Sequence, residues 1–157
     1  GRRMNEPLEA DEVIEMLNLA PLPGEGGMYK EIWTTEAGSA IYFLARPDDF
    51  SAMHRLNRTE LWHHYAGAPL QLILLDPDGS VRQPILGGNL VAGHRPLAVV
   101  EAGVWMGGYP LGPWTLAGTT MAPPFDAEGF ELARPSELLA THPAAADEIK
   151  RLTRGGA

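Results

Sequence analysis

The segment FSAMHRLNRTELWHHYAG, residues 50–67, decides the fold, and it contains three of the five histidines of the chain. One β-rich run predicts a strand that ends at His54, and a second predicts a strand that opens at Glu60. The polar residues between them, among them Asn57 and Thr59, favour a tight turn. We therefore expect a hairpin at whose mouth the His54 imidazole and the Glu60 carboxylate converge. This pattern predicts a site but no particular function.

Length and composition limit the class of protein. The 157 residues suit one domain with its own core, expected over residues 4–154, and residues 1–3 look like an artificial extension ahead of Met4. The formal net charge of −8 argues against binding to nucleic acid or to an anionic membrane, because both reward clustered Lys and Arg. The absence of cysteine excludes disulfides and thiolate chemistry. Without an evident signal or membrane span, a cytoplasmic location is expected.

Short β-rich runs recur at intervals of roughly eight to twelve residues, with Gly and Pro at the breaks. Beyond the opening segment, strands are predicted at 28–35, 39–45, 70–75, 81–86, 98–101, 104–108, 114–121 and 129–133. Helices are predicted at 10–19, 136–141 and 144–153. Residues 21–27 are rich in Pro and Gly and are expected to form a plain loop, in which Glu25 is the one charged side chain. The pattern is typical of a β-sandwich or closed barrel.

Several of these residues resemble the sequence blocks of a known superfamily. The spacing of His54, Glu60 and Gly67 resembles the first block of the cupins, and residues 101–106 resemble the second block with its Pro and His replaced. Four segments make the chain similar to small single-domain cupins of largely uncharacterised function, the cupin-5 type: PGEGGMY at 23–29, FSAMHRLNRTELWHHYAG at 50–67, VVEAGVW at 99–105 and TMAPPFDAEGFELA at 120–133. The resemblance implies an all-β fold, the double-stranded β-helix or cupin jelly-roll barrel, with a short N-terminal helix and C-terminal helices. It also implies a fold related to that of sugar-nucleotide epimerases.

The resemblance raises the question of a metal site. Metal-binding cupins use two histidines, a glutamate and the histidine of the second block. Only His54 and Glu60 match here, because Leu56 and Met106 occupy the other two positions. Two ligands of four make a poor divalent site, so no cofactor is expected and a divalent metal is disfavoured. Counting by twos from Glu60 leaves one alternative, a three-ligand site of His54, Glu60 and His64.

Without a metal, the chemistry left to these residues is proton transfer. In the epimerase branch of the cupins a barrel histidine removes a proton next to a carbonyl and a tyrosine returns one. The resemblance therefore implies His54 as base and Tyr29 or Tyr42 as acid, with Glu60 orienting the histidine. The expected function is that of an isomerase, epimerase or lyase acting on a carbonyl-containing sugar or nucleotide-sugar-like substrate. The alternative is a non-catalytic binding module for a small, sugar-like molecule, in which His54 and Glu60 form a buried, mutually satisfied pair.

Seven further residues are candidate ligand contacts. They are Trp62, His64, Ser51, Lys30, Arg46, Met106 and Glu131. Trp62 offers an aromatic floor, while Lys30 and Arg46 are the cations best suited to hold a phosphate or a carboxylate. Glu131 is a candidate for closing the pocket mouth. Ser51 lacks the strand-to-helix elbow that a hydrolase nucleophile needs.

The sequence also predicts self-association. A small barrel of this kind exposes the outer face of a sheet and its edge strands. Pairing two subunits buries both of these surfaces. The expected partners are therefore a small-molecule ligand and a second copy of the chain in a homodimer.

Overall fold

The computed structural model describes residues 7–154, and its structure is mainly β with three short α-helices. Residues 1–3, expected to be an artificial extension, and residues 4–6 of the expected domain lie outside the described residues. No helix within 7–154 has the length and apolar character needed to cross a lipid bilayer.

Two antiparallel sheets contain the strands of the described residues. These strands are Ala20–Pro21 (β1), Met28–Thr35 (β2), Gly38–Ala45 (β3), Ser51–Arg55 (β4), Glu60–Gly67 (β5), Leu70–Leu75 (β6), Val81–Arg82 (β7), Ile85–Leu86 (β8), Leu97–Val100 (β9), Trp105–Pro110 (β10), Thr115–Met121 (β11) and Glu131–Leu132 (β12). The α-helices are Ala10–Leu17 (α1), Pro135–Thr141 (α2) and Ala146–Arg151 (α3). One sheet has the order β1-β2-β3-β11-β5-β9, and the other has the order β12-β4-β10-β6-β7 with β8 also paired to β6. This architecture confirms the predicted all-β jelly roll with a short N-terminal helix and C-terminal helices.

The strands of the opening segment do not form a hairpin, so that prediction is wrong. β4 pairs with β10 and β12, whereas β5 pairs with β11 and β9 in the other sheet. Residues 56–59 cross between the sheets because Leu56 is buried in the core and its carbonyl accepts from Gly103 N at 2.8 Å. His54 and Glu60 therefore approach each other from opposite sheets.

The core lies between the two sheets, and β6 shows how its residues are arranged. Leu72 and Leu74 point into the core between the sheets, whereas Ile73 and Leu75 pack under α2 and α3 on the outside. Both faces of this strand are buried. This explains why its sequence is a continuous apolar run without polar alternation.

Two element boundaries differ from prediction for local reasons. The single strand predicted at 81–86 is divided into β7 and β8. Pro84 lies between these strands; it has no N–H to donate, while its carbonyl accepts from Leu72 N at 3.0 Å. The N-terminal helix ends at Leu17 because Asn18 adopts a left-handed conformation with φ of 56°.

Gly27 fixes the loop between β1 and β2 against the barrel. Its φ is 77°, in the left-handed region that favours glycine, and its N–H donates to Asp49 Oδ1 at 2.8 Å. A Cβ at this position would overlap the buried ring of Phe43. The close approach of the loop to β3 therefore depends on glycine.

Substituting Gly27 with Ala should lower the free energy of unfolding by about 3 kcal/mol, because backbone strain and overlap with Phe43 add together. Gly93→Ala is the matched control, since Gly93 has a φ of 93° but no atom within 4 Å of an added Cβ. It should lose only the backbone contribution of about 1 kcal/mol. Urea unfolding followed by tryptophan fluorescence measures both values. Equal losses in the two variants would show that Phe43 moves aside without penalty.

Candidate functional site

A cavity with a volume of about 400 Å³ lies between the two sheets and is bordered by the loops before β2 and after β11. Apolar side chains form most of its wall, among them Leu22, Ile41, Leu56, Met121, Phe125 and Phe130. Polar side chains also face it, and these include Glu25, Tyr29, Glu31, His54, Glu60 and Thr119. A concave, largely apolar space with a few convergent polar groups is the usual form of a small-molecule site.

His54 is held in one orientation by its own strand. Its Nδ1 donates to the carbonyl of Ala52 at 2.7 Å, because that oxygen can only accept. Phe130 stacks on the imidazole with ring centroids 5.4 Å apart. The other nitrogen, Nε2, lies 3.5 Å from Glu25 Oε1, which is too long for a strong hydrogen bond. Nε2 is therefore free to exchange a proton with a ligand.

Glu25, and not Glu60, is the carboxylate beside His54. Its Oε2 accepts from the Ser51 hydroxyl at 2.7 Å, and its backbone carbonyl accepts from Ala52 N at 2.9 Å. These two bonds place the carboxylate opposite Nε2 of His54. The orienting position predicted for Glu60 is thus occupied by a residue from a remote loop, and Ser51 contacts that residue.

Arg154 holds the same loop from outside the barrel. Its Nη1 donates to the carbonyl of Glu25 and its Nη2 to the carbonyl of Phe50, both at 2.7 Å. The guanidinium lies over the Phe50 ring, 3.9 Å from the centroid. Gly26 leaves room for this contact, because an added Cβ would lie 2.5 Å from Nη2. The position of Glu25 therefore depends also on a residue at the C-terminal end of the described chain.

The Glu60 carboxyl enters the cavity from the start of β5 and is only 7% exposed. Burial, and in second place the charge of Glu25, raise its pKa to about 8, although Thr119 and Trp62 act in the opposite direction. Its Oε1 has no hydrogen-bond partner among the described residues. Near pH 7 the group is therefore mainly a neutral acid that can donate a hydrogen bond.

Of the two tyrosines considered from the sequence, Tyr29 lines the cavity. It faces Phe43 in the register of β2 and β3, and both rings point inward. Tyr42 lies on the opposite face of the sheet, where it packs edge-on against Tyr65 with centroids 6.1 Å apart. A phenol can therefore reach a ligand only from Tyr29 of this pair.

Three inward-facing residues proposed as ligand contacts do not line the cavity. Trp62 and Met106 are buried in the core, where the indole N–H donates to the Met106 sulfur at 3.4 Å. His64 is partly buried, and its Nε2 donates to the carbonyl of Ala68 at 3.1 Å. Alternation along the strand correctly predicted that Trp62 points inward. Its side chain lies in the packed core, however, and not in the wall of the cavity.

The charged side chains proposed as ligand contacts also lie elsewhere. Lys30 is exposed on β2, and Arg46 pairs with Asp49 at 3.3 Å. Glu131 pairs with Arg55 at 2.8 Å on the surface. None of these residues lines the cavity. The geometry therefore does not place Lys30, Arg46 or Glu131 against a ligand bound there.

The residues at the positions that metal-binding cupins use do not fit a divalent ion. Leu56 and Met106 are apolar and buried, so they add no ligand to His54 and Glu60. Within residues 7–154 no three His, Cys, Asp or Glu side chains converge closely enough to hold an ion. The alternative set of His54, Glu60 and His64 is therefore not assembled among these residues.

Most cavity residues were not proposed from the sequence, and among them are Glu25, Thr119 and Phe130. Glu25 carried one signal, its isolation as the only charge in a Gly- and Pro-rich loop. Thr119 lies two residues from both Ala117 and Met121 along β11, so the three side chains share one face of the sheet. This spacing predicts the face but does not show that a cavity lies there. Phe130 lies in one of the four resembling segments, but no local pattern shows that it stacks on His54.

A family model described as "Cupin superfamily (DUF985)" matches residues 11–133, which is most of the chain. The chain belongs to this cupin family. The prediction of a small cupin of the cupin-5 type is thereby confirmed. No curated protein matches the sequence of this cupin.

Solved structures similar to this cupin agree with its fold. A Shewanella oneidensis protein is 32% identical, with a TM-score of 0.89 over 94% of this chain and 99% of its own. A hypothetical protein from Leishmania major is 26% identical, with a TM-score of 0.86 over 94% and 100% of the two chains. A dTDP sugar isomerase from Desulfovibrio desulfuricans is 20% identical, with a TM-score of 0.54 over 73% and 80%. The last likeness is one of fold alone.

The raised pKa of Glu60 predicts a specific dependence of stability on pH. Between the ordinary value of 4.5 and about 8, the folded protein binds one proton more than the unfolded chain. The free energy of unfolding should therefore fall by about 1.4 kcal/mol per pH unit as pH rises through this window, and level off above it. Glu60→Gln should remove this slope, and the exposed Glu36→Gln should retain it. Urea unfolding at several pH values measures the slopes, and parallel curves for wild type and Glu60→Gln would contradict the assignment.

Proposed function

We propose that this cupin is a metal-independent acid–base enzyme of the isomerase or epimerase type, acting on a small sugar-like carbonyl compound. One observation carries the proposal. His54 and Glu60 face the same largely apolar cavity from opposite sheets, the first with a free Nε2 and the second as a buried acid with an unpartnered oxygen. A base and an acid of this kind can act on one substrate in a single site.

His54 acts as the base in this proposal. Its Nε2 takes a proton from the carbon next to the substrate carbonyl. The imidazolium that forms is stabilised by the Glu25 carboxylate 3.5 Å away, while the Nδ1–H bond to Ala52 keeps the ring in place. The electron pair of the broken C–H bond moves into an enol or enolate.

Glu60 acts as the acid on the carbonyl oxygen. Because its carboxyl is protonated near neutral pH, it can donate a hydrogen bond to the oxygen on which negative charge develops. Return of a proton to the carbon completes the reaction. In an isomerisation the imidazolium returns it to the former carbonyl carbon, while the hydroxyl on the first carbon gives its proton to Glu60, which has protonated the carbonyl oxygen. In an epimerisation Tyr29, which also lines the cavity, supplies a proton to the opposite face of the first carbon, and the imidazolium and the phenolate then exchange protons with solvent.

The charge of the cavity limits the class of substrate that can bind. Among residues 7–154, neither Lys nor Arg lines it, while three glutamates do. A phosphate or diphosphate would meet carboxylates without a cation to balance it. The proposed substrate is therefore a sugar-like carbonyl compound without phosphate, in contrast to the nucleotide sugar named for the isomerase of similar fold.

A non-catalytic binding module is the second candidate function. The observation that favours it is the largely apolar wall, which would bind a ligand without any proton transfer. The two candidates differ in whether a C–H bond of the ligand breaks.

Deuterium exchange tests that difference. A panel of unphosphorylated aldoses and ketoses is incubated with the protein in D2O, and ¹H NMR follows loss of the C–H signal next to the carbonyl. We expect catalysed exchange on at least one compound, and His54→Gln should reduce its rate by about 10² to 10⁴-fold. His63→Gln is the matched control, because His63 bonds to Thr120 on the outer face of the sheet and should leave the rate unchanged. Saturable binding without exchange for every compound would favour the binding module.

A further inference from the structure

The two segments that carry Glu25 and His54 are joined by one guanidinium outside the barrel. Arg154 follows α3, and it donates to the carbonyls of Glu25 and Phe50, both at 2.7 Å. Phe50 immediately precedes β4, the strand that carries His54. A single side chain therefore fixes the loop of the proposed carboxylate relative to the strand of the proposed base.

The surroundings of this guanidinium suit its shape and charge. Nη2 lies 3.8 Å from the Asp49 carboxylate, and the group stacks on the Phe50 ring, 3.9 Å from the centroid. The same carboxylate accepts from Gly27 N at 2.8 Å, so it also holds the far side of the loop. A planar fork of donors can serve two carbonyls and a ring face at once, which a lysine ammonium cannot do.

The backbone that delivers Arg154 is anchored separately from its side chain. The carbonyl of Leu152 accepts from Met53 N in β4 at 2.8 Å, and the Leu152 side chain is buried in the core cluster under α2 and α3. The Arg154 side chain itself is 37% exposed. Loss of the guanidinium should therefore leave the barrel and its C-terminal helices packed.

Glu25 depends on this guanidinium at its backbone. Its carbonyl accepts from Ala52 N at 2.9 Å and from Arg154 at 2.7 Å, which uses both lone pairs of the oxygen. Its side chain is held by the Ser51 hydroxyl at 2.7 Å and lies 3.5 Å from Nε2 of His54. Without Arg154 the carbonyl keeps one of these two bonds, so the loop and its carboxylate gain freedom to move away from the imidazole.

We propose that Arg154 is a positioning residue of the proposed reaction, and that it holds the Glu25 carboxylate where the His54 imidazolium forms. The inference rests on the proposed function and adds a residue outside the cavity that sets its rate. Arg154 does not line the cavity, so it acts through Glu25 and not on the ligand. Its loss should therefore slow proton abstraction more than it weakens ligand binding.

Rate measurements on the intact protein test this role. Deuterium exchange in D2O is followed on the panel of unphosphorylated aldoses and ketoses, which includes D-glucose, D-mannose and D-fructose. Arg154→Ala should lower kcat by about 10- to 10²-fold, because a small displacement of a positioned group is costly to the rate. KM should change by less than about threefold. Arg151→Ala is the matched control and should keep the wild-type kcat, since Arg151 stacks on a different ring, that of Tyr109, also at 3.9 Å.

Two further measurements show whether Arg154 acts through Glu25. In a Glu25→Gln background, Arg154→Ala should cause no additional loss of kcat, because the effects of a residue and of the group it positions are not additive. N-methylguanidinium added to the solution should restore part of the kcat of Arg154→Ala and none of that of Glu25→Gln. Thermal unfolding confirms that every variant is folded at the assay temperature.

Nitrogen NMR of His54 separates this inference from the proposed function. The Nε2 resonance should move in the same direction in Arg154→Ala and in Glu25→Gln, and it should stay in place in Arg151→Ala. These shifts without exchange on any compound would keep Arg154 as the residue that positions Glu25 but reject the reaction. Exchange that Arg154→Ala leaves unchanged, an equal loss in Arg151→Ala, or a fully additive loss in the Glu25→Gln background would leave the reaction intact and overturn the inference.

Discussion

The site depends on burial of the Glu60 carboxyl in a cavity that no Lys or Arg of residues 7–154 lines. In water this group would be ionised at neutral pH, but inside the barrel the apolar wall and the charge of Glu25 keep its proton in place. The neighbouring His54 uses its own strand, through Ala52, to hold its tautomer. In the proposed reaction, Glu60 is therefore left to act as the acid. The sequence predicts His54 and Glu60 as partners, but different atoms hold each of them, so the proposal gives them separate roles as base and acid.

The sequence was sufficient to predict the fold class, but it was not sufficient to predict which strands pair. Gly and Pro between short β-rich runs, together with four segments that resemble small cupins, were enough for the jelly roll and for its terminal helices. The pairing of β4 and β5 was not predictable from residues 56–59, because a polar turn of this length serves a hairpin or a crossing equally well. The decision is made by Leu56, which the core buries, and by a backbone bond from Gly103.

In the candidate site, too, local sequence patterns predicted some residues, whereas contacts between distant residues were not predictable. His54 and Glu60 were identified from their spacing, and both line the cavity. The sequence predicts only a plain loop around Glu25, because its hydrogen bond to Ser51 joins residues 26 positions apart and such a contact produces no periodic pattern in the sequence. Alternation along a strand tells inside from outside, and it placed Trp62 inside correctly. Alternation does not show whether an inward side chain lies in the packed core or lines a cavity. That depends on whether side chains of the facing strand fill the space between the sheets.

The hydrogen bonds of Arg154 affect the order in which the site can form during synthesis. The loop that carries Glu25 lies near the start of the described chain, and the guanidinium that ties it down lies 129 residues later. Leu152 also accepts a backbone bond from Met53 in β4, beside His54. During synthesis on the ribosome the barrel strands all emerge before these two contacts can form. The loop that carries Glu25 therefore receives its last contact after all the strands have emerged, so a nascent chain can hold a nearly complete barrel before every support of the site is in place.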